Sequence, residues 1–180
     1  IKNNYYLYIE NTTSINIDLF KKNRKITIIY RNNGNVENFT KLRIFRQKCK
    51  LKNFKFYIAN DYNLVISCKA DGLYLSSYNK KIYSRLLNNL IGSAHNFKEI
   101  YEKINQGCKT IILSRLFVTS YINKKGNLGI HKFNLIKKNF LINLVPLGGI
   151  NSLNLLKLNL VDSNGLSLFS EIKKKPAISN

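Results

Sequence analysis

The stretch from Lys55 to Ser77 reads KFYIANDYNLVISCKADGLYLSS. Its opening KFYIA is short and rich in aromatic and β-branched residues, the composition of a buried strand. Polar Asn60 and Asp61 end that run. A short helical pattern follows around Leu64 to Cys68, and GLYLSS returns to strand. Strand, helix and strand in so few residues predict a parallel crossover unit, because parallel neighbours need a connection that carries the chain back to the starting edge.

The same alternation extends outward. Toward the N-terminus lie YYLYIE, ending at Glu10, and KITIIY, ending at Tyr30. Between them a polar stretch through Leu19 and Phe20 has room for a helical turn or two. After Tyr30, Phe39, Leu42, Phe45 and Cys49 fall on one helical face. Toward the C-terminus, Ile82, Leu86, Leu87 and Leu90 predict a helix before the short strand LIGSA. Phe97, Ile100, Tyr101 and Ile104 recur at helical spacing, with Asn96 as the N-cap and Gly107 as the stop. TIILS follows, then a loop rich in Lys, Asn and Gly, then a helix near Phe133 to Phe140. NLVPLGGI is the seventh strand. Asn151 is expected to cap a helix carrying Leu153, Leu156 and Leu160, and GLSLFS, ending at Ser170, is the eighth strand.

About eight strands and about seven helices, with no linker among them, predict one domain over residues 1–180. The expected fold is a small (β/α)₈ barrel lacking a full final helix. An open doubly wound sheet is the runner-up; no G-x-G-x-x-G follows the first strand, which weakens its dinucleotide-binding form.

Composition narrows the classes of function. The 180 residues are 44% hydrophobic, which supports a core and argues against disorder. No apolar run approaches the roughly 18 residues of a membrane helix. The N-terminus has neither a secretory pattern nor a Met, so Ile1 reads as a trimmed or processed start. The formal charge is +21, but the lysines are scattered through strands, helices and loops, densest only at Lys173, Lys174 and Lys175. That spread disfavours a nucleic-acid stripe and suits an anionic small substrate equally well. Cys49, Cys68 and Cys108 form no C-x-x-C pair and are expected as buried free thiols in a reducing, cytoplasmic compartment.

In a barrel of this kind the active site lies at the C-terminal ends of the strands. The residues there are Arg31, Asn32 and Asn33, then Asn60 and Asp61, then Ser76, Ser77 and Asn79. Ser93 and His95 follow the fifth strand, Ser114, Arg115 and Thr119 the sixth, Gly148 and Gly149 the seventh, and Ser170 the eighth. Loops are polar in any protein, but an Arg, an Asp and a Gly-Gly pair on separate ends ask for more than that. Backbone N–H groups of Gly148 and Gly149, with the Ser170 hydroxyl and a following helix N-terminus, would suit a phosphate. His95 is a candidate base or donor at the mouth. His131, in a surface helix, has no assigned role. No zinc-ligand spacing, G-x-S-x-G elbow or Walker A loop is present.

Taken in order, IANDYNLV, ADGLYLSS, IGSAHN, QGCKTIILSRLF, PLGGI and GLSLFS resemble the thiamine phosphate synthase and thiazole tautomerase family over nearly the whole chain. The resemblance implies a barrel that joins a pyrimidine methyl pyrophosphate to a thiazole phosphate, releasing pyrophosphate. It implies phosphorylated small-molecule partners and Mg²⁺. Carried over residue by residue, it makes Arg31 a pyrophosphate ligand, Asn60 its neighbour in an Asn-Asp pair and Asp61 a Mg²⁺ ligand. Ser93 matches the strand-five Ser, Thr119 the phosphate-loop Thr, and Gly149 and Ser170 the phosphate-binding ends. The departures are Ile29 for a Gln, Asn33 for a Lys, Asn79 for the second Mg²⁺-binding Asp, and Arg115 for a Pro or, in the tautomerase branch, a His. The loop Lys is out of register, with Lys124 and Lys125 nearby.

Three functions stay open on sequence: a synthase with a divergent site, an inactive or altered relative that binds a phosphorylated ligand, and a basic RNA-associated protein on the same fold. Oligomeric state is not readable.

Overall fold

We describe a computed structural model over residues 4–21, 25–32, 34, 37–83, 86–119 and 126–168. Eight parallel strands run in chain order around one closed barrel. They are β1 (Asn4–Ile9), β2 (Lys25–Tyr30), β3 (Lys55–Ala59), β4 (Gly72–Leu75), β5 (Leu90–Ala94), β6 (Thr110–Ser114), β7 (Asn143–Leu147) and β8 (Gly165–Leu168). Closure is made by β8 against β1, in register from Asn4 opposite Gly165 to Leu7 opposite Leu168. Outside lie α1 (Phe39–Leu51), α2 (Tyr62–Cys68), α3 (Phe97–Asn105) and α4 (Gly129–Lys138). This is the predicted (β/α)₈ barrel; the expected lack of a full final helix concerns residues 169–180, which lie outside the described residues.

The two-residue period of each strand sorts its side chains into two cores. Leu7, Ile28, Phe56, Leu73 and Ile111 point outward into the layer beneath the helices, where Leu42, Phe45, Cys49 and Ile100 meet them. Tyr6, Tyr8, Ile29, Tyr57, Tyr74, Ile112 and Val145 fill the lumen. Each such side chain contributes about 1.5–3 kcal/mol by leaving water. Large rings fit inside because a small residue faces them: a Cβ on Gly72 would stand 2.4 Å from the Tyr57 ring.

Local chemistry sets the helix ends. The Asn96 side chain accepts from Glu99 N–H, Glu99 accepts from His95 N–H, and Gly107 turns the chain at φ +84. The three cysteines are buried and free. Burial pushes the Cys49 and Cys108 thiols up to about 12, as inert packing residues should behave.

Two expectations fail. Among the described residues from Ile82 to Leu90 none is helical: Leu90 is the buried first residue of β5, while Ile82 and Leu86 are 67% and 61% exposed. The leucine-rich run after β7 forms 3₁₀ turns at Ser152–Asn154 and Leu156–Leu160 rather than an α-helix. Asn151 caps it as expected, but Leu153, Leu156 and Leu160 face solvent and Leu158 is the residue that packs inward. The described residues therefore hold four α-helices and four 3₁₀ turns, the other two turns being Thr12–Ser14 and Ile17–Leu19.

Candidate active site at the C-terminal mouth

Because all strands are parallel, every residue that follows a strand reaches the same rim. Arg31, Asn32, Gly34, Ala59, Asn60, Asp61 and Tyr78 line one cavity of about 430 Å³ there. The structure thus brings together four strand-end residues named from the sequence, Arg31 and Asn32 after β2 and Asn60 and Asp61 after β3. Arg31 leaves β2 with its N–H bonded to Ile9 carbonyl at 2.8 Å, which fixes where its side chain starts.

Asn60 is held in the left-handed region at φ 59, which Asn tolerates better than most residues. Its amide is a node between strand ends. Oδ1 accepts from Ser76 N–H at 2.9 Å and Asn79 Nδ2 at 3.1 Å. Nδ2 donates to Ser76 Oγ at 2.8 Å and the Tyr78 hydroxyl at 3.0 Å. Asn60 therefore shapes the wall of the cavity and sets Tyr78. Tyr78 was missed in the sequence; its signal was an aromatic residue inside the polar run SSYNK after β4.

Asp61 is exposed, and its Oδ1 caps α2 by accepting from Leu64 N–H at 2.9 Å. It is the one carboxylate among the described residues lining the cavity. The Asn79 side-chain Oδ1 accepts from Lys81 N–H at 3.0 Å. Among the described residues, no three His, Cys, Asp or Glu side chains gather as a metal cluster. This donor set makes no preformed Mg²⁺ cage; it suits a cation that keeps its waters and is carried on a substrate's phosphates.

Beneath the mouth the Tyr8 hydroxyl donates to the Tyr74 hydroxyl at 2.9 Å. Tyr74 also pairs with Ser93, and Tyr8 with Ser167. The predicted Ser93 is thus buried under the cavity, bonded within the lumen. Burial raises both tyrosine pKa values, and the Arg31 charge opposes that rise.

The opposite arc of the rim is built by β6 and β7. Arg115 Nη1 donates to Thr119 Oγ1 at 3.2 Å. Leu116 N–H and Phe117 N–H bond to the Leu147 and Gly148 carbonyls at 2.9 and 3.0 Å. Gly148 and Gly149 have φ +100 and +70. A Cβ on Gly149 would stand 2.3 Å from the Val118 carbonyl oxygen, so a glycine is required for the two loops to meet. Thr119, Gly148 and Gly149 are gathered as expected. Ser170, Asn33, Lys124 and Lys125 lie outside the described residues. The turn after Gly149 is 3₁₀, so no α-helix N-terminus is offered there. His95 sits at the start of α3, with Nδ1 on Glu99 at 2.9 Å, and belongs to the helix cap. His131 is exposed on α4.

A closed barrel of eight parallel strands with a cavity at its C-terminal mouth defines the (β/α)₈ class. Residues 20–172 match the family described as thiamine monophosphate synthase, and the chain belongs to that family. It is 32% identical over 112 residues to a thiamine-phosphate synthase of Prochlorococcus marinus subsp. pastoris, an alignment covering 59% of this chain and 32% of that protein. The chain thus matches about a third of that relative's length. Its fold is similar to the thiamine phosphate pyrophosphorylase of Pyrococcus furiosus, with TM-score 0.76 at 17% identity over 96% of this chain and 89% of that one. The thiamine phosphate pyrophosphorylase of Bacteroides thetaiotaomicron gives TM-score 0.62 at 14% identity, over 93% and 82%. Among the described residues, no helix is long and apolar enough to cross a membrane.

Proposed function

We propose that this chain binds a diphosphate ester and a second phosphorylated ligand at its mouth and joins them as a thiamine phosphate synthase with a divergent site. The observation that carries this is the shared cavity of Arg31, Asn60 and Asp61, in a chain of that family. In such a condensation the methylene C–O bond of the pyrimidine ester breaks, with its electron pair leaving on the diphosphate. The thiazole nitrogen lone pair then forms the new C–N bond. Positioning and charge stabilisation carry chemistry of this kind. Arg31 would hold the departing diphosphate as a bidentate guanidinium. Tyr78, set by Asn60, would give its wall a hydroxyl. Thr119, with Arg115 on its hydroxyl, and the Gly148–Gly149 backbone would take the other ligand's phosphate. Mg²⁺ on the diphosphate would add charge neutralisation, with Asp61 as its protein carboxylate.

A second reading, a binding relative without turnover, is favoured by Asn79, whose amide is committed to Asn60 and Lys81 where the family resemblance implies a second carboxylate. Pyrophosphate release from the two phosphorylated substrates, followed with wild type and Arg31→Ala, separates the two. Release that Arg31→Ala abolishes supports the synthase. Tight pyrophosphate binding with no release supports the relative.

A further inference from the structure

The described residues include one lysine that the mouth does not explain. Lys103, in the last turn of α3, is wholly buried. Burying an ammonium is unfavourable unless it is well bonded, and burial lowers its pKa here. Its stem crosses β5 at Gly92, where a Cβ would stand 2.9 Å from its Cγ and Cδ. Nζ then donates to the Asn79 carbonyl at 2.7 Å and to Gln106 Oε1 at 2.8 Å. Gln106, buried at the C-cap of α3, turns its own Nε2 to the same Asn79 carbonyl at 3.0 Å and to the Lys81 carbonyl at 2.7 Å. Outside this pair, Lys80 bonds to Glu102 of α3.

Asn79 faces two ways. Its main-chain oxygen is gripped from α3, while its side-chain Nδ2 donates to Asn60 Oδ1 at the cavity. Asn60 in turn holds Ser76 and Tyr78. A run of hydrogen bonds through Asn79 therefore leads from a buried lysine on the outer layer to the cavity that Arg31 also lines. The segment it fixes, residues 76–81, carries no helix, so no helical ladder orders it.

We propose that Lys103 and Gln106 are positioning residues that clamp the 76–81 loop so that Tyr78 and Asn60 stand correctly for a diphosphate in the Arg31 cavity. The ligand class rests on the function proposed above; the clamp itself does not.

The test uses the full chain and inorganic pyrophosphate with Mg²⁺. Lys103→Met keeps the stem over Gly92 and removes the donors. Gln106→Met removes the second set of donors and serves if the first variant does not fold. Ile100→Val, also buried on α3, is the control for a loss of stability alone. The clamp predicts faster amide hydrogen exchange at Asn79 and Lys81 in both Met variants but not in the control. It also predicts pyrophosphate affinity weaker by about tenfold, the usual scale of coupling between linked sites. The double variant should weaken it by less than the sum of the single ones, because both hold the same 79–81 segment. Unchanged exchange at Asn79 and Lys81 would overturn the clamp. So would faster exchange with unaltered affinity, or weakening equal to that in Ile100→Val. If wild type binds no pyrophosphate, the functional reading fails, and the exchange data alone then decide the clamp.

Discussion

The hydroxyls of Tyr8 and Tyr74 meet at 2.9 Å across the lumen, their rings edge-on at 5.5 Å, directly under the strand ends that carry the cavity. β1 and β4 are not neighbours in the barrel, so this bond ties opposite walls where no strand ladder does. Tyr74→Phe removes one buried hydrogen bond from Tyr8, which keeps Ser167. It should cost about 0.5–1.5 kcal/mol in denaturant unfolding. Tyr8→Phe/Tyr74→Phe should cost less than the sum of the single changes. Full additivity would show that the pair does not interact.

Alkaline pH should loosen the barrel. Burial is the main cause that raises Tyr57 to about 12 from 10.0, and Cys108 to about 12 from 9.0. Tyr8 and Tyr74 are raised in the same direction by burial first. A raised folded pKa means that the folded state binds more protons, so stability is full below the unfolded values of 9.0 and 10.0 and is lost as pH rises toward about 12. Melting temperatures measured across that window should fall, and Cys108→Ala should remove part of the slope near its lower end.

Arg31→Ala tests the charge at the mouth. The side chain is exposed, so stability should move by no more than about 0.5 kcal/mol. Pyrophosphate affinity measured by calorimetry should drop by about tenfold or more, the 1.5–3 kcal/mol scale of a hydrogen bond to a charged group. Equal affinity in both proteins would remove Arg31 from the site.

Asn79→Asp puts an oxygen where Nδ2 now faces Asn60 Oδ1 at 3.1 Å. Without metal this should lower stability by about 1–3 kcal/mol. The added carboxylate faces Asn60, the residue before Asp61, so Mg²⁺ should restore more stability to the variant than to wild type. Thermal melts with and without Mg²⁺ check both statements; equal Mg²⁺ shifts would deny position 79 any access to the metal.

Gly149→Ala meets the Val118 carbonyl at 2.3 Å and demands φ +70 from an L residue. A loss of more than about 1 kcal/mol is expected from that backbone conflict. Thr119 should lose order with it, read as a shift of its methyl resonance. A variant as stable as wild type would mean that the two loops do not touch in solution.

Strand periodicity made the barrel legible. KFYIA, LIGSA and TIILS are short apolar runs that stand where they were expected, and Asn96 and Gly107 bracket α3 as their chemistry requires. Leucine spacing misled twice. Leu90 satisfied a helical repeat and a strand at once, and only the demand of barrel closure decides for the strand. Leu153, Leu156 and Leu160 carry a helical rhythm with no wall left to face. At the mouth, residue types told which strand ends bear charge, so Arg31, Asn60 and Asp61 were found. Which polar group spends its bonds inside the protein was hidden, because the partners of Asn60 lie 16–19 residues away. The clamp was equally invisible, since a lysine in an amphipathic helix reads as solvated until Gly92 is seen to make room for it.

The aromatic filling of the lumen also makes the barrel its own optical gauge. The chain has no Trp, so its near-ultraviolet emission arises from 11 tyrosines. Four of them, Tyr6, Tyr8, Tyr57 and Tyr74, are packed inside the strands. A ligand settling over Arg31, or a strand pair parting beneath it, would alter the light these phenols return, with no dye attached and no residue replaced.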